Sequence, residues 1–300
     1  MTTVTDNLLC LISYLAIPTM ILLADSGATK TDWCIARTHA DHQLIQTGGI
    51  NPFHQSENTI REIIQTQLLP PLSPVLPSIR AVFFYGAGCT PSLAGIVRKV
   101  LSQYFPTQPI AVESDLLGAA RALCKKQPGI ACILGTGSNS CLYDGSRITQ
   151  NMSPLGYILG DEGSGAYLGK RFIGDCLKKQ LPAHLGKGLL DDLELSATEV
   201  LDKVYRQPQA NRFLASLTPY IHRNKDVPEV QHFLQECFSA FFERNVLTYE
   251  SSLPVSFTGS IAWFFQDEIR QSASRLGLTT RLFIKNPIQE LANYHLQYEP

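Results

Sequence analysis

Blocks of apolar residues ending in small polar turns organise this chain. The run MILLAD, from Met20, ends in Asp25. The turn Ser26-Gly27-Ala28-Thr29-Lys30-Thr31-Asp32 follows, and apolar residues resume through TDWCIAR. Two apolar runs joined by a glycine-containing turn predict a β-hairpin. QLIQTGGINPF predicts a third strand ending at Gly48-Gly49. From Ser56 to Leu69 the apolar positions 60, 63, 64 and 68 have helical spacing. PPLSPVLP reads as a Pro-rich connector, AVFFYGAGC as a buried strand entering a glycine loop, and Pro91 to Tyr104 as a helix. The predicted order is β-β-β-α-β-α.

A second copy of this layout begins near Ile130. GIACILGTGSNSCLYDG reads as strand, glycine-rich turn, strand, and ESDLLGAARALCKK before it as a helix with Asp115 in its first turn. From about residue 165 to 250 the pattern is helical. LPVSFTGSIAWFF then reads as strand, turn and helix, TTRLFIK as the last strand, and PIQELANYHLQ as a closing helix. The expected architecture is two related α/β halves, residues 20–113 and 114–300, hinged near residue 113, with the closing helix returning to the first half. The segment LLCLISYLAIP is apolar for only eleven residues, with Asp6 and no Lys or Arg before it. That suits neither a signal peptide nor a membrane span. Met20 is therefore expected to be the natural start, with residues 1–19 an upstream extension.

Composition narrows the function classes. At 44% apolar, 17% charged and net charge −1, the chain is globular and lacks a basic field for nucleic acid or an anionic membrane. Its 8 cysteines form no CxxC pair and several lie in apolar runs, which points to reduced, buried thiols in a cytoplasmic setting. None of the 7 histidines has metal-site spacing; His39 and His42 read as surface residues. Trp263, Phe264 and Phe265 read as core.

Neither GxxxxGK[ST] nor a helix-opening GxGxxG is present. Instead three turns rich in Gly, Ser and Thr follow apolar strands: DSGATKTD, LGTGSNS and FTGS. Backbone N–H groups in such turns can converge on an anion, and small side chains admit a phosphate. A single turn of this kind is as well explained by a hairpin. Asp115 can be read as a helix-capping acid or as a catalytic carboxylate, and the residues alone leave both open.

The three turns resemble the two phosphate motifs and the adenosine motif of the actin/hexokinase/Hsp70 ATPase superfamily. Within it, GYILGDEGSGAYLGKR (Gly156 to Arg171), LGTGSNS and ADSGATKTDW resemble the BadF/BadG/BcrA/BcrD ATPase family, in its N-acetylglucosamine kinase-like branch. The resemblance covers the chain from about Met20 onward. It implies two ribonuclease H-like (actin/hexokinase-type) α/β domains with a cleft between them. It also implies an ATP-dependent kinase that uses Mg²⁺ and phosphorylates the 6-hydroxyl of an N-acetylated amino sugar, N-acetylglucosamine or an N-acetylmuramic acid-like sugar. The expected partners are the sugar, ATP and a second copy of the chain in a homodimer.

Position by position, the resemblance makes Asp115 the catalytic carboxylate. Asp25 would help to hold Mg²⁺ through water. Gly27, Thr29 and Lys30 would face the β- and γ-phosphates, and Gly135, Thr136 and Gly137 would form the second phosphate turn. Gly259 and Ser260 would lie near the adenosine. Asn51, Ser138, Asn139, Gly156 and Asp161 would meet the sugar. The chain departs from the branch before GDEG, where Pro154-Leu155-Gly156 stands in place of GWG, and near RNKD at 223–226, which lacks a small residue-Gly-Asp pattern. Two other functions remain open here: an ATPase activator of a 2-hydroxyacyl-CoA dehydratase system, and a non-enzymatic sugar sensor.

Overall fold

The computed structural model describes residues 20–27, 29–38 and 41–298. The expectations for residues 1–19, and those for Cys10 and His39, lie outside the described residues. The chain forms two compact units. One comprises residues 20–115 and 288–298, and the other Leu116–Pro287.

The first unit holds a five-stranded sheet of β1 (Met20–Ser26), β2 (Lys30–Thr38), β3 (Asp41–Gly48), β4 (Ile79–Gly86) and β5 (Ile110–Ser114), in the order β3-β2-β1-β4-β5. β1 and β2 form the antiparallel hairpin, and β4 lies parallel to β1. Leu22, Ala24, Val82 and Phe84 have no exposed surface and pack with Trp33 and Ile60. Each large apolar side chain buried this way is worth about 1.5–3 kcal/mol. The closing helix Ile288–Tyr298 belongs to this unit. Its fully buried His295 stacks on Phe83 with ring centroids 3.8 Å apart, and its Nε2 lies 2.7 Å from the Tyr85 hydroxyl.

The second unit repeats the topology. Its strands β6 (Gly129–Leu134), β7 (Ser138–Tyr143), β8 (Ile148–Met152), β9 (Val255–Thr258) and β10 (Thr280–Ile284) run in the order β10-β9-β6-β7-β8. Read from the other edge this is 3-2-1-4-5 again, with the same parallel and antiparallel pairs. Mixed α/β units with this sheet are the expected fold class. Helices between residues 165 and 250 cover the sheet through a core that includes Phe172, Phe238, Phe241 and Phe257.

Several local expectations are corrected. β8 is absent from the sequence reading, because its residues ITQNM are mostly exposed and polar and leave no apolar signal. The helix expected from Ser56 runs Glu57–Ile63, then widens to a π-helical turn at Ile64–Leu68. The Pro-rich connector contains a helical turn, Leu69–Leu72, which Pro can enter at its start. The helix expected from Pro91 starts at Ala94. Of the aromatic trio only Phe265 is buried. Trp263 and Phe264 are 40% and 47% exposed, because the short helix Ser260–Phe264 turns them outward. Among the described residues no helix is long and apolar enough to cross a membrane.

Candidate active site

The first unit gathers acids at the carboxyl ends of its parallel strands, where open α/β sheets bind ligands. Register dictates the arrangement. Counting out from the hairpin turn pairs Asp25 with Asp32 and Ser26 with Thr31. Across the parallel strands Asp25 is level with Tyr85, and Tyr85 with Glu113. One residue past Ser114, Asp115 opens the helix Asp115–Cys124. The buried Ser26 hydroxyl donates to the Ile50 carbonyl at 2.9 Å and accepts from the Ile50 N–H at 3.0 Å, tying β1 to the GGINPF loop.

Asp25 has its carboxyl pushed up to about 7. Withdrawal from water is the largest cause, followed by the charges of Asp115 and Asp32, with Lys30 opposing them. Asp32 is held at both oxygens. Lys30 Nζ donates to Oδ2 at 2.6 Å and Gln46 Nε2 to Oδ1 at 2.7 Å. The Gly27 N–H donates to the Lys30 carbonyl at 3.0 Å, and the exposed Thr29 accepts from the Gly49 N–H at 3.1 Å. Asn51 turns its own loop: its Oδ1 accepts from the Phe53 N–H at 2.9 Å. Gly88, at φ 75°, leaves the Asn51 side chain room that a Cβ would take. Beside these acids, burial pushes the Cys89 thiol up to about 12, with Asp115 and Glu113 adding to the shift. Cys34, Cys124, Cys132, Cys141 and Cys237 are also free and buried, and Cys176 is half-buried.

In the second unit three loops meet. Gly135, Thr136 and Gly137 turn from β6 into β7. The Gly165 and Ala166 N–H groups donate to the Gly135 and Thr136 carbonyls at 2.8 and 3.1 Å. The first N–H groups of helix Gly165–Leu177 therefore hold the turn, and Ser164 caps the Tyr167 N–H at 3.1 Å. Gly259 sits at φ 112° with its α-carbon against the Leu134 carbonyl, where any Cβ would collide. It places Ser260, exposed at the start of its short helix, beside this turn.

Asp161 and Glu162 are buried, at 8% and 6% exposure, so GDEG is not a solvated turn. Asp161 has φ 55°, its N–H donates to the Pro154 carbonyl at 2.8 Å, and its Oδ1 accepts from the Ser138 N–H at 3.3 Å. Burial pushes its carboxyl up to about 6; the Ser138 N–H opposes this and the charge of Glu162 adds to it. Asn139 Oδ1 accepts from the Ser140 N–H at 2.9 Å and from Asn151 Nδ2 at 3.0 Å. Gly156 is exposed at φ 75° and opens the one-turn helix Gly156–Leu159.

The expected site residues thus fall into two sets. Asp25, Gly27, Thr29, Lys30, Asn51 and Asp115 belong to the first unit. Gly135, Thr136, Gly137, Ser138, Asn139, Gly156, Asp161, Gly259 and Ser260 belong to the second. Sequence reasoning assigned no role to Asp32, although the hairpin register could have paired it with Asp25. It also missed Tyr249, whose hydroxyl lies 2.7 Å from Ser140 Oγ and accepts from the Met152 N–H at 3.1 Å. No pattern in the sequence signals that contact, which spans 109 residues.

Solved structures share this fold. A Porphyromonas gingivalis protein, provisionally named an N-acetylglucosamine kinase, matches with a TM-score of 0.91 at 46% identity, over 94% of this chain and 100% of that one. A Chromobacterium violaceum protein of the same provisional name matches with a TM-score of 0.68 at 19% identity, over 93% and 99% of the two chains. A glucokinase from Balamuthia mandrillaris, in complex with glucose, shares the fold at a TM-score of 0.50 and 14% identity, over 93% of each chain. No family model and no curated protein matches the chain. The duplicated five-stranded sheet is that of the actin/hexokinase-type kinase fold. The chain belongs to the N-acetylglucosamine kinase-like branch of that superfamily, a group of ATP-dependent carbohydrate kinases.

Proposed function

We propose that this kinase transfers the γ-phosphoryl group of ATP to the 6-hydroxyl of an N-acetylated amino sugar, N-acetylglucosamine or an N-acetylmuramic acid-like sugar. The observation that carries the proposal is the 46% identity, over nearly the whole chain, to a protein provisionally named an N-acetylglucosamine kinase. The acids at the strand ends of the first unit support it. Phosphoryl transfer asks a protein for positioning, charge neutralisation and a group to take the hydroxyl proton. In this reading Asp115 accepts the 6-hydroxyl proton as the sugar oxygen bonds to phosphorus and the bond to ADP breaks. The products are the sugar 6-phosphate and ADP.

Gly27, Thr29 and Lys30 meet the β- and γ-phosphates, Gly135 to Gly137 form the second phosphate turn, and Gly259 and Ser260 border the adenosine. Asn51, Ser138, Asn139, Gly156 and Asp161 orient the sugar. The residues fit Mg²⁺. Burial first, and then the charges of Asp115 and Asp32, push the Asp25 carboxyl up to about 7, an environment a cation would relieve. As the family resemblance implies, Asp25 would help to hold the ion through water. Bound there, Mg²⁺ would neutralise phosphate charge. The reduced, buried cysteines support a cytoplasmic location, and a homodimer is the proposed assembly.

A coupled assay of ADP release over a panel of sugars tests the substrate. N-acetylglucosamine or N-acetylmuramic acid should give the highest kcat/KM, and phosphorus NMR of the product should place the phosphate on the 6-oxygen. Turnover of glucose alone, or phosphate on another oxygen, would refute the proposal.

A pH profile tests Asp161. The raised carboxyl favours the protonated form in the fold. Its contribution to stability is present below about pH 4 and is lost as pH rises through about 6. Sugar binding needs the carboxylate as acceptor, so the dependence on pH is the reverse. The sugar KM should be flat above about pH 7 and rise by up to about tenfold per unit below pH 6. Asp161→Asn should give a high, pH-independent sugar KM. A wild-type KM unchanged between pH 5 and 8 would count against the assignment.

A further inference from the structure

We infer that Glu162 and Arg244 form a clamp that positions Asp161 for the sugar, an inference that rests on the proposed role of Asp161. Arg244 Nε lies 2.6 Å from Glu162 Oε1, and Asn245 Nδ2 donates to Glu162 Oε2 at 3.4 Å. Glu162 is buried, and its two oxygens thus receive two donors from adjacent residues of one segment. That segment is the π-helical turn Phe242–Val246, which continues the helix Pro228–Phe241. A π-turn inserts a residue into a helix and re-aims the side chains at its end. Here it aims Arg244 and Asn245 together at the GDEG loop. Asn245 Nδ2 also donates to the Phe241 carbonyl at 3.2 Å, which holds the amide to its own helix.

The loop has reason to need such a clamp. Asp161 occupies the left-handed region at φ 55° and Gly163 does so at 71°. A non-glycine residue there persists only when its surroundings over-determine it. On one side the Asp161 N–H is held by the Pro154 carbonyl, and its carbonyl accepts from the Ser164 N–H at 3.0 Å. On the other, a Cβ at Gly163 would come within 2.9 Å of the Phe241 Cβ, so the loop is pressed on the helix that carries the clamp. Glu162 shares a peptide bond with Asp161. Fixing its side chain fixes the plane from which the Asp161 carboxylate projects. Arg244 and Glu162 are accordingly positioning residues and touch no reacting atom.

Kinetics of the full-length enzyme, with sugar and ATP varied in turn, test the clamp. Arg244→Met alters a side chain that is 61% exposed, so the fold should survive it. The sugar KM should rise about tenfold, the loss of one well-placed charge-assisted contact, with kcat and ATP KM within about threefold of wild type. Glu162→Gln should act alike, and the double variant should be no worse than the poorer single one, because both remove one interaction. Additive losses would overturn the pairing. Hydrogen exchange over residues 156–165 reads the loop without any sugar, and it should quicken in Arg244→Met. Unchanged exchange would overturn the clamp. Quicker exchange with an unchanged sugar KM in Arg244→Met, while Asp161→Asn raises it, would overturn the positioning role. An unchanged sugar KM in Asp161→Asn itself would remove the sugar role of Asp161 and leave the clamp a loop anchor only.

Discussion

Replacing Asp115 with Asn should lower kcat by roughly 10²–10⁴-fold, the range of general acid–base catalysis, while the KM values for sugar and ATP stay within about threefold. Asn keeps the shape and the helix-first position but cannot accept the hydroxyl proton. The substitution also separates the two readings that the sequence left open. Were Asp115 only a favourable acid in the first turn of its helix, the loss would appear in stability, at about 0.3–1 kcal/mol, and kcat would hold. The catalytic reading predicts the opposite balance. Removing its charge relieves Asp25, which it holds toward the protonated form, so the variant should unfold no earlier than wild type at pH 8. Near-normal kcat together with a lowered Tm would reject the assignment.

Asp25→Asn should likewise inactivate the enzyme, by at least about a hundredfold in kcat, and yet stabilise the ligand-free protein. The sign follows from the raised carboxyl. Unfolded, Asp25 ionises near 3.8, and folded near 7. Between these values the folded state holds a proton that the unfolded state has lost, so the stability Asp25 contributes is complete below about pH 4 and is lost as pH rises through 7. At pH 8 the ionised carboxylate then costs the fold on the order of 2–4 kcal/mol, and Asn removes that cost. Thermal unfolding at pH 8, with chelator and without nucleotide, should show Tm raised by about 5 °C. The gain should shrink to nothing toward pH 4. A destabilised variant at pH 8 would show that the carboxylate is satisfied in the fold, and with it the case for a cation at this position would fall.

The two outcomes share a physical origin. An acid placed opposite another acid in a hairpin, with a third at the end of a nearby parallel strand, is a poor choice for stability. Lys30 and Gln46 offset part of this by holding Asp32. Asp25 has no comparable relief from its own strand, and its carboxyl rises instead. Such a cluster is understandable where a cation and a phosphate are to be met.

The sequence by itself determined the strands with strong apolar runs, the hairpins between them, and the duplicated order of elements. Those features are local: the period of apolar residues and the glycine turns need only neighbours in sequence to be expressed. The motifs DSGATKTD, LGTGSNS and GDEGSG carried the family for the same reason, because each is one contiguous turn. Tertiary structure alone decided the rest. β8 is exposed and polar, so only pairing with β7 makes it a strand. The pairing of Asp25 with Asp32 depends on register, and the ionisation of Asp25 on burial and on Asp115, ninety residues away in sequence. In sequence Glu162 is one acid of the GDEG turn, with no partner signalled nearby. It becomes a buried anchor only because a π-helical turn some eighty residues later delivers Arg244 and Asn245 to it. Long-range contact sets the electrostatics of a carboxylate, and periodicity carries no record of it.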